Sequence, residues 1–177
     1  MGLENNNISV LFNWNNEVLA ITIVTLVVIL GFGFYLETKI WPLGILWLKY
    51  LLRIIFLATI IIGLGYMPIR LKVNDENIMV SRLFGSLKIP MGEVIEARII
   101  SKSDIENSIR RFGSGGLFGY LGLFKSDSLG NYTMYATDLS NLIFIRTSNK
   151  KYVFSCSCHK EVVEYVNIRL KQNCNVK

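Results

Sequence analysis

Two long apolar stretches in the first seventy residues constrain this chain more than any other feature. Val18–Leu36 (VLAITIVTLVVILGFGFYL) runs nineteen residues without a charge, and Ile40–Ile69 is broken only by Lys49 and Arg53. A helix needs about 20 apolar residues to cross the hydrocarbon core of a bilayer, and an uncharged run of 18 or more is a candidate span. The sequence therefore predicts a membrane anchor over residues 1–69, with helices at about 18–36 and 48–68, and a separate domain over 70–177. A hydrophobic fraction of 51% and a mean hydropathy of +0.40 agree, because the excess lies at the N-terminal end. A cleaved signal peptide opens on Lys or Arg and closes on small residues. This leader carries Glu4 and Glu17 with no base, and Glu37-Thr38-Lys39 follows the first stretch, so the span is expected to stay uncleaved.

The second stretch carries two charges. Pro42 suits a first helical turn, where its missing N–H leaves nothing unsatisfied. An Arg at the centre of a span costs about 2.5–3.5 kcal/mol on insertion scales. Lys49 and Arg53, four residues apart, share a helix face and can snorkel together toward one interface. The favoured crossing then runs from about Tyr50 to Met67, with Trp41 and Trp47 among the headgroups. Neither span offers an acidic residue to pair with Arg53. Lys49 and Arg53 on one side, and Arg70 and Lys72 on the other, are expected to touch the membrane surface, where each Lys or Arg gains about 1 kcal/mol from anionic headgroups. The basic flanks are nearly balanced. Cys156, Cys158 and Cys174 make a poor disulfide framework and an ordinary reducing-compartment inventory, so the C-terminal domain and Lys177 are expected in the cytosol.

From Ile69 the period changes to two. Ile69, Leu71 and Val73 alternate with Arg70, Lys72 and Asn74, the pattern of a half-buried strand. Asn74–Asn77 is a turn cluster, and strands are expected at 78–83, 86–90, 94–101, 118–125, 132–137, 142–147 and 151–155. Short strands at such spacing indicate an antiparallel sandwich or barrel. Within 118–137, Tyr120, Phe124, Tyr132 and Tyr135 are candidates for inward-facing rings. Ser157 is a candidate N-cap for a closing helix whose apolar stripe is Val162, Val163, Val166 and Leu170.

The order of strands, Gly-rich segment and closing helix from Arg70 to Gln172 resembles the bacterial pleckstrin-homology (PH)-like domain family, in the kind that carries N-terminal membrane spans. The resemblance rests on RFGSGGLFGYLGLF (Arg111–Phe124), Gly130-Asn131-Tyr132, Tyr135-Ala136-Thr137-Asp138, Asn141-Leu142-Ile143 and Lys151-Tyr152-Val153. Cys156 departs from the Pro expected after the Ser of the last strand. The resemblance implies an α+β chain: a two-helix transmembrane hairpin, then a split barrel of about seven antiparallel strands capped by a C-terminal helix. It implies a bacterial inner-membrane protein and a non-catalytic binding scaffold, so function has to come from a site.

Arg110, Arg111, Gly113, Ser114, Gly115 and Gly116 form the candidate anion- or lipid-binding segment. Glycines can present successive N–H groups to an anion beside the two Arg forks, or they can simply serve a bulged, sharply turning strand. The segment is neither a P-loop nor GxGxxG. Cys156-Ser157-Cys158-His159 lacks the partner pair of a zinc site, and no nucleophile elbow or HExxH stands near His159. No catalytic residue, metal or cofactor is expected. The net charge of +6 is dispersed, without the dense stripe that nucleic acid requires. The expected partners are the lipid bilayer and a protein or peptide. Anionic lipid held at the Arg/Gly-rich segment is the alternative, and a membrane hydrolase using His159 the remote one.

Overall fold

The computed structural model describes residues 7–40 and 46–174. Two helices, α1 (Asn16–Ile40) and α2 (Leu46–Tyr66), form an antiparallel hairpin. Both are apolar around their whole circumference, and only 11% of the apolar window of either is buried. The core helix of a soluble protein would reverse that fraction, whereas exposed Val, Leu and Phe suit lipid. Trp41 and Pro42 lie outside the described residues. One expectation fails here. Helix α1 continues past Leu36, so Glu37 stays on the helix, where it pairs with Arg53 and, at 3.2 Å, with Lys49. The two cations of α2 therefore share an acidic partner.

Strands β1 (Ile8–Leu11), β2 (Pro68–Val73), β3 (Asn77–Arg82) and β4 (Ser86–Pro90) form a four-stranded antiparallel sheet in that order. Strand β1 comes from the leader, which carries no strand signal of its own, and pairs Ile8–Leu11 with Val73–Arg70. Leu71 and Val73 are buried as their alternation requires, but Ile69 is exposed because a bulge between Pro68 and Arg70 turns it outward. Asn74 closes the next turn, its side chain accepting the Asn77 N–H at 2.7 Å.

A six-stranded sheet follows, built from β5 (Val94–Ile100), β6 (Ile109–Gly116), β7 (Gly119–Ser126), β8 (Gly130–Ala136), β9 (Leu142–Thr147) and β10 (Lys151–Ser155) in the order β5-β9-β10-β8-β7-β6. The expected closed arrangement of about seven antiparallel strands is corrected to two open sheets. Strand β10 inserts between β9 and β8 and runs parallel to β8. The Gly-rich stretch is itself a strand, and β1 adds another. The helix α3 (His159–Cys174) starts two residues after Ser157, which stays in the preceding turn.

The six-stranded sheet is buried on both faces, which explains the continuous apolar run of β9. On one face Ile143, Ile145 and Phe154 meet Leu71, Val73, Ile78 and Val80 of the smaller sheet, with Val162, Val163 and Val166 of α3 closing the layer. On the other, Leu142, Phe144, Val153 and Met134 gather with Phe124 and Tyr132 under Ile105.

Hairpin and domain interlock. Phe118, buried and at φ +58, lays its ring against Gly63 of α2 and donates its N–H to Thr22 Oγ1 of α1 at 3.0 Å. Phe84 covers Gly65 and donates to its carbonyl at 3.0 Å. Thr137 Oγ1 donates to the Asn13 carbonyl at 2.7 Å. A side chain at residue 63 would evict the Phe118 ring. Gly63→Leu in the full chain in detergent should therefore speed hydrogen exchange at the Phe118 amide while β9 amides keep their protection; unchanged exchange at Phe118 would contradict this interlock.

Candidate functional site

The domain presents one groove with mixed chemistry. It has a volume of about 400 Å³ and lies on the face of the six-stranded sheet turned away from the smaller sheet. Its floor is Phe124 stacked on Tyr132 at 6.0 Å, with Tyr120 beside them. The antiparallel β7–β8 pairing sets Phe124 opposite Tyr132 and Tyr120 opposite Ala136, so alternate residues bring these rings to one face. Tyr135 faces the other way and packs on Phe154. Burial raises the phenol pKa of Tyr132, although its hydroxyl meets Ser108 at 2.7 Å, and burial likewise raises that of Tyr120. Lys102, Glu106 and Arg110 bring charge to the walls.

One wall is the segment 102–108, held by a capping box: Asp104 accepts the Ser101 N–H at 2.8 Å and the Ser101 hydroxyl at 2.9 Å. These bonds hold the Asp104 carboxyl below its usual range, the Ser101 backbone bond first among the causes. A depressed carboxyl stabilises the fold above its unfolded pKa and loses that contribution as pH falls through the folded one. Acid below about pH 4 should therefore loosen this wall before the core, and proton–deuteron exchange at the Asp104 and Ile105 amides reads it. Equal protection at pH 3 and pH 7, after correction for intrinsic rates, would refute it.

The predicted anion segment is distributed differently from a nest. Gly113–Gly116 pair with Gly122–Gly119 along β7, so these residues extend a ladder rather than curl around a ligand. A bulge at Arg111 separates the two arginines. Arg110 joins the groove, beside Gly115, whereas Arg111 reaches Asn131 at 3.5 Å. Ser114 donates its hydroxyl to the Leu117 carbonyl at 2.6 Å, and Gly116 abuts Ile21 of α1.

Arg70 and Lys72 stand on the outer face of the smaller sheet. There they share a shallow polar hollow with Lys88 and the amides Asn74 and Asn77. Lys72 and Lys88 both flank Met79 across the sheet. Lys49, nearly buried, and Arg53 lie at the other end of the hairpin with Glu37, beside an apolar cleft of about 330 Å³ between the helices. Cys156, just past the end of β10, is a buried thiol whose pKa burial pushes up to about 11. Among the described residues, no three His, Cys, Asp or Glu side chains gather as a metal site.

Sequence reasoning located Arg110 but missed the groove, because the segment 102–108 carries no periodic signal. Tyr120, Phe124 and Tyr132 were legible as inward rings, though not as the floor of an open site. Residues 69–170, more than half of the chain, match the family described as bacterial PH domain. No curated protein and no solved structure matches the chain.

Proposed function

This chain belongs to the bacterial PH domain family, and we propose that it is a non-catalytic interaction module, tethered by its two helices to a bacterial inner membrane and binding a protein or peptide partner. The observation that carries this reading is the groove beside Arg110. An aromatic floor with a few charged groups on its walls suits a peptide side chain and its neighbours better than a lone phosphate. Arg and Tyr are also the residue types that concentrate binding energy at interfaces. The interlock of Phe118 and Phe84 with the hairpin supports a domain held in a fixed pose against the membrane, so the groove would meet partners in one orientation.

Purification of the full chain in mild detergent tests this. A protein retained by the parent and lost from Arg110→Glu is the expected result. A partner set unchanged by Arg110→Glu would tell against the groove. The thiols and the basic flank after α2 favour a cytosolic domain, so a reporter active only in the cytosol should work when fused after Lys177. A fusion that works only when exported would reverse the orientation.

A second reading, recognition of an anionic lipid, draws on Arg70, Lys72 and Lys88 rather than on Arg110 and Arg111. It expects the chain to melt higher in phosphatidylglycerol nanodiscs than in phosphatidylcholine ones, and the difference to vanish in Arg70→Gln/Lys72→Gln. Equal melting in both lipids removes this reading.

A further inference from the structure

Counted from its ion pair with Glu37, α2 falls short of the membrane it would cross. Glu37 and Arg53 are bonded to each other, so lengths along the two helices share an origin. From Glu37 back to Glu17, α1 covers twenty residues, about 30 Å at 1.5 Å per residue, which is the thickness of the hydrocarbon core. From Arg53 to its end at Tyr66, α2 covers thirteen residues, only about 20 Å. Any tilt shortens both reaches. The remaining ~10 Å of the core, alongside the first turns of α1, is occupied by the domain. Thr22, within those turns, holds the Phe118 N–H and lies under the Gly116 carbonyl.

The surface at that level is apolar. Leu11, Tyr66, Ile69, Leu83 and Phe84 leave between 37% and 58% of their area exposed, and they belong to β1, the end of α2, β2 and the β3–β4 turn. Two charges border this patch: the Arg82 guanidinium lies over the Tyr66 and Tyr135 rings at 5.5 and 5.8 Å, and Arg70 stands at its rim, paired with Leu11. Two N–H groups of the turn are satisfied within the protein: Arg82 N–H donates to the Gly85 carbonyl at 3.1 Å and Phe84 N–H to the Gly65 carbonyl. Hydrocarbon demands such internal satisfaction of polar groups. After Arg53 the next charge along the chain is Arg70, opposite Leu11. Four extended residues past Tyr66 are about 13 Å, which brings Arg70 to the headgroup level.

We propose that this collar, Ile69 and the Leu83–Phe84 turn around the foot of the hairpin, is immersed in the bilayer with Leu11 and Arg70 at its headgroup rim, so that the domain itself completes the span that α2 leaves short. The proposal rests on the reading of the hairpin as membrane-spanning. Its occupant is the acyl-chain region of the leaflet on the domain side, since the collar is continuous with the lipid-facing helix surfaces.

Nitroxide labels on the full chain, reconstituted in phosphatidylcholine–phosphatidylglycerol vesicles, test the collar separately from the span. The background carries Cys158→Ser and Cys174→Ser; buried Cys156, with its raised thiol, stays unlabelled at neutral pH. Labels at Val28→Cys, Leu83→Cys and Lys88→Cys report the mid-span, the collar and the middle of β4 beyond it. The expected result is several-fold more collision with oxygen than with a nickel chelate at 28 and 83, and the reverse at 88. A label at Ile69→Cys repeats the collar measurement on a second strand. An aqueous signal at 83 and 69 with an apolar one at 28 overturns the collar and leaves the span. An aqueous signal at 28 overturns the spanning reading and the collar with it.

Discussion

Gly113→Val should strongly destabilise the domain and lower its melting temperature. Gly113 and Gly122 face each other across β6 and β7, at φ +113 and +120. A Cβ on Gly113 would be driven into the Leu121 carbonyl, and one on Gly122 into the Phe112 carbonyl. The obstacle in each case is backbone, which cannot swing aside like a side chain. A residue forced into a sparsely populated backbone region costs about 1–3 kcal/mol, and overpacking adds about 1–3 more. Their sum is a large part of the roughly 5–15 kcal/mol that holds a domain together. Gly116→Val should do less harm, because φ +133 is strained for Val but the neighbour is the flexible Ile21 side chain at 3.2 Å. Thermal unfolding of the full chain in detergent checks both, and a Gly113→Val protein that melts with the parent would contradict this pairing.

Phe154→Ala should lower stability by about 3–5 kcal/mol, the usual range for emptying a buried Phe site. The ring is fully buried and stacks on Tyr135 at 6.2 Å and on Tyr152 at 5.9 Å. It sits where the two sheets and α3 meet, so no solvent-exposed neighbour can collapse into the space. For a domain near 100 residues this corresponds to a fall in Tm of more than ~10 °C. Phe124→Ala should cost less, since the cavity it leaves opens into the groove and fills with water. A shift of under 3 °C for Phe154→Ala would mean that the sheets do not pack through this residue.

Much of this architecture was legible in the residues, and the misses have physical causes. The apolar runs mark both helices, alternation marks β2, and turn residues with regular spacing mark β3 to β5 and β7 to β10 within a few residues. For β6 the glycines leave an anion nest and a bulged strand open, and the structure shows the bulged strand, in which Gly113 and Gly122 permit close strand contact. Strand β1 was invisible: Ile8–Leu11 is too short to show a period and gains its order from β2. The parallel β8–β10 contact has no local signature at all, and strand spacing leaves sandwich and barrel open, so the choice of a split barrel rests on likeness alone. Glu37 was counted as the end of a span, yet its pairing with Arg53 depends on one more helical turn. For the site, Arg110 was found from composition, but its separation from Arg111 depends on a single bulge, which sequence does not announce.

Photo-crosslinking from the groove in intact cells tests the central claim most directly. A photoreactive phenylalanine derivative replaces Tyr120, at the groove floor, or Ile95, exposed on the opposite edge strand β5. The account predicts a discrete protein adduct from position 120, none from position 95, and loss of the adduct when Arg110→Glu is added. No protein adduct from position 120, or the same adduct from both positions regardless of Arg110, would contradict it.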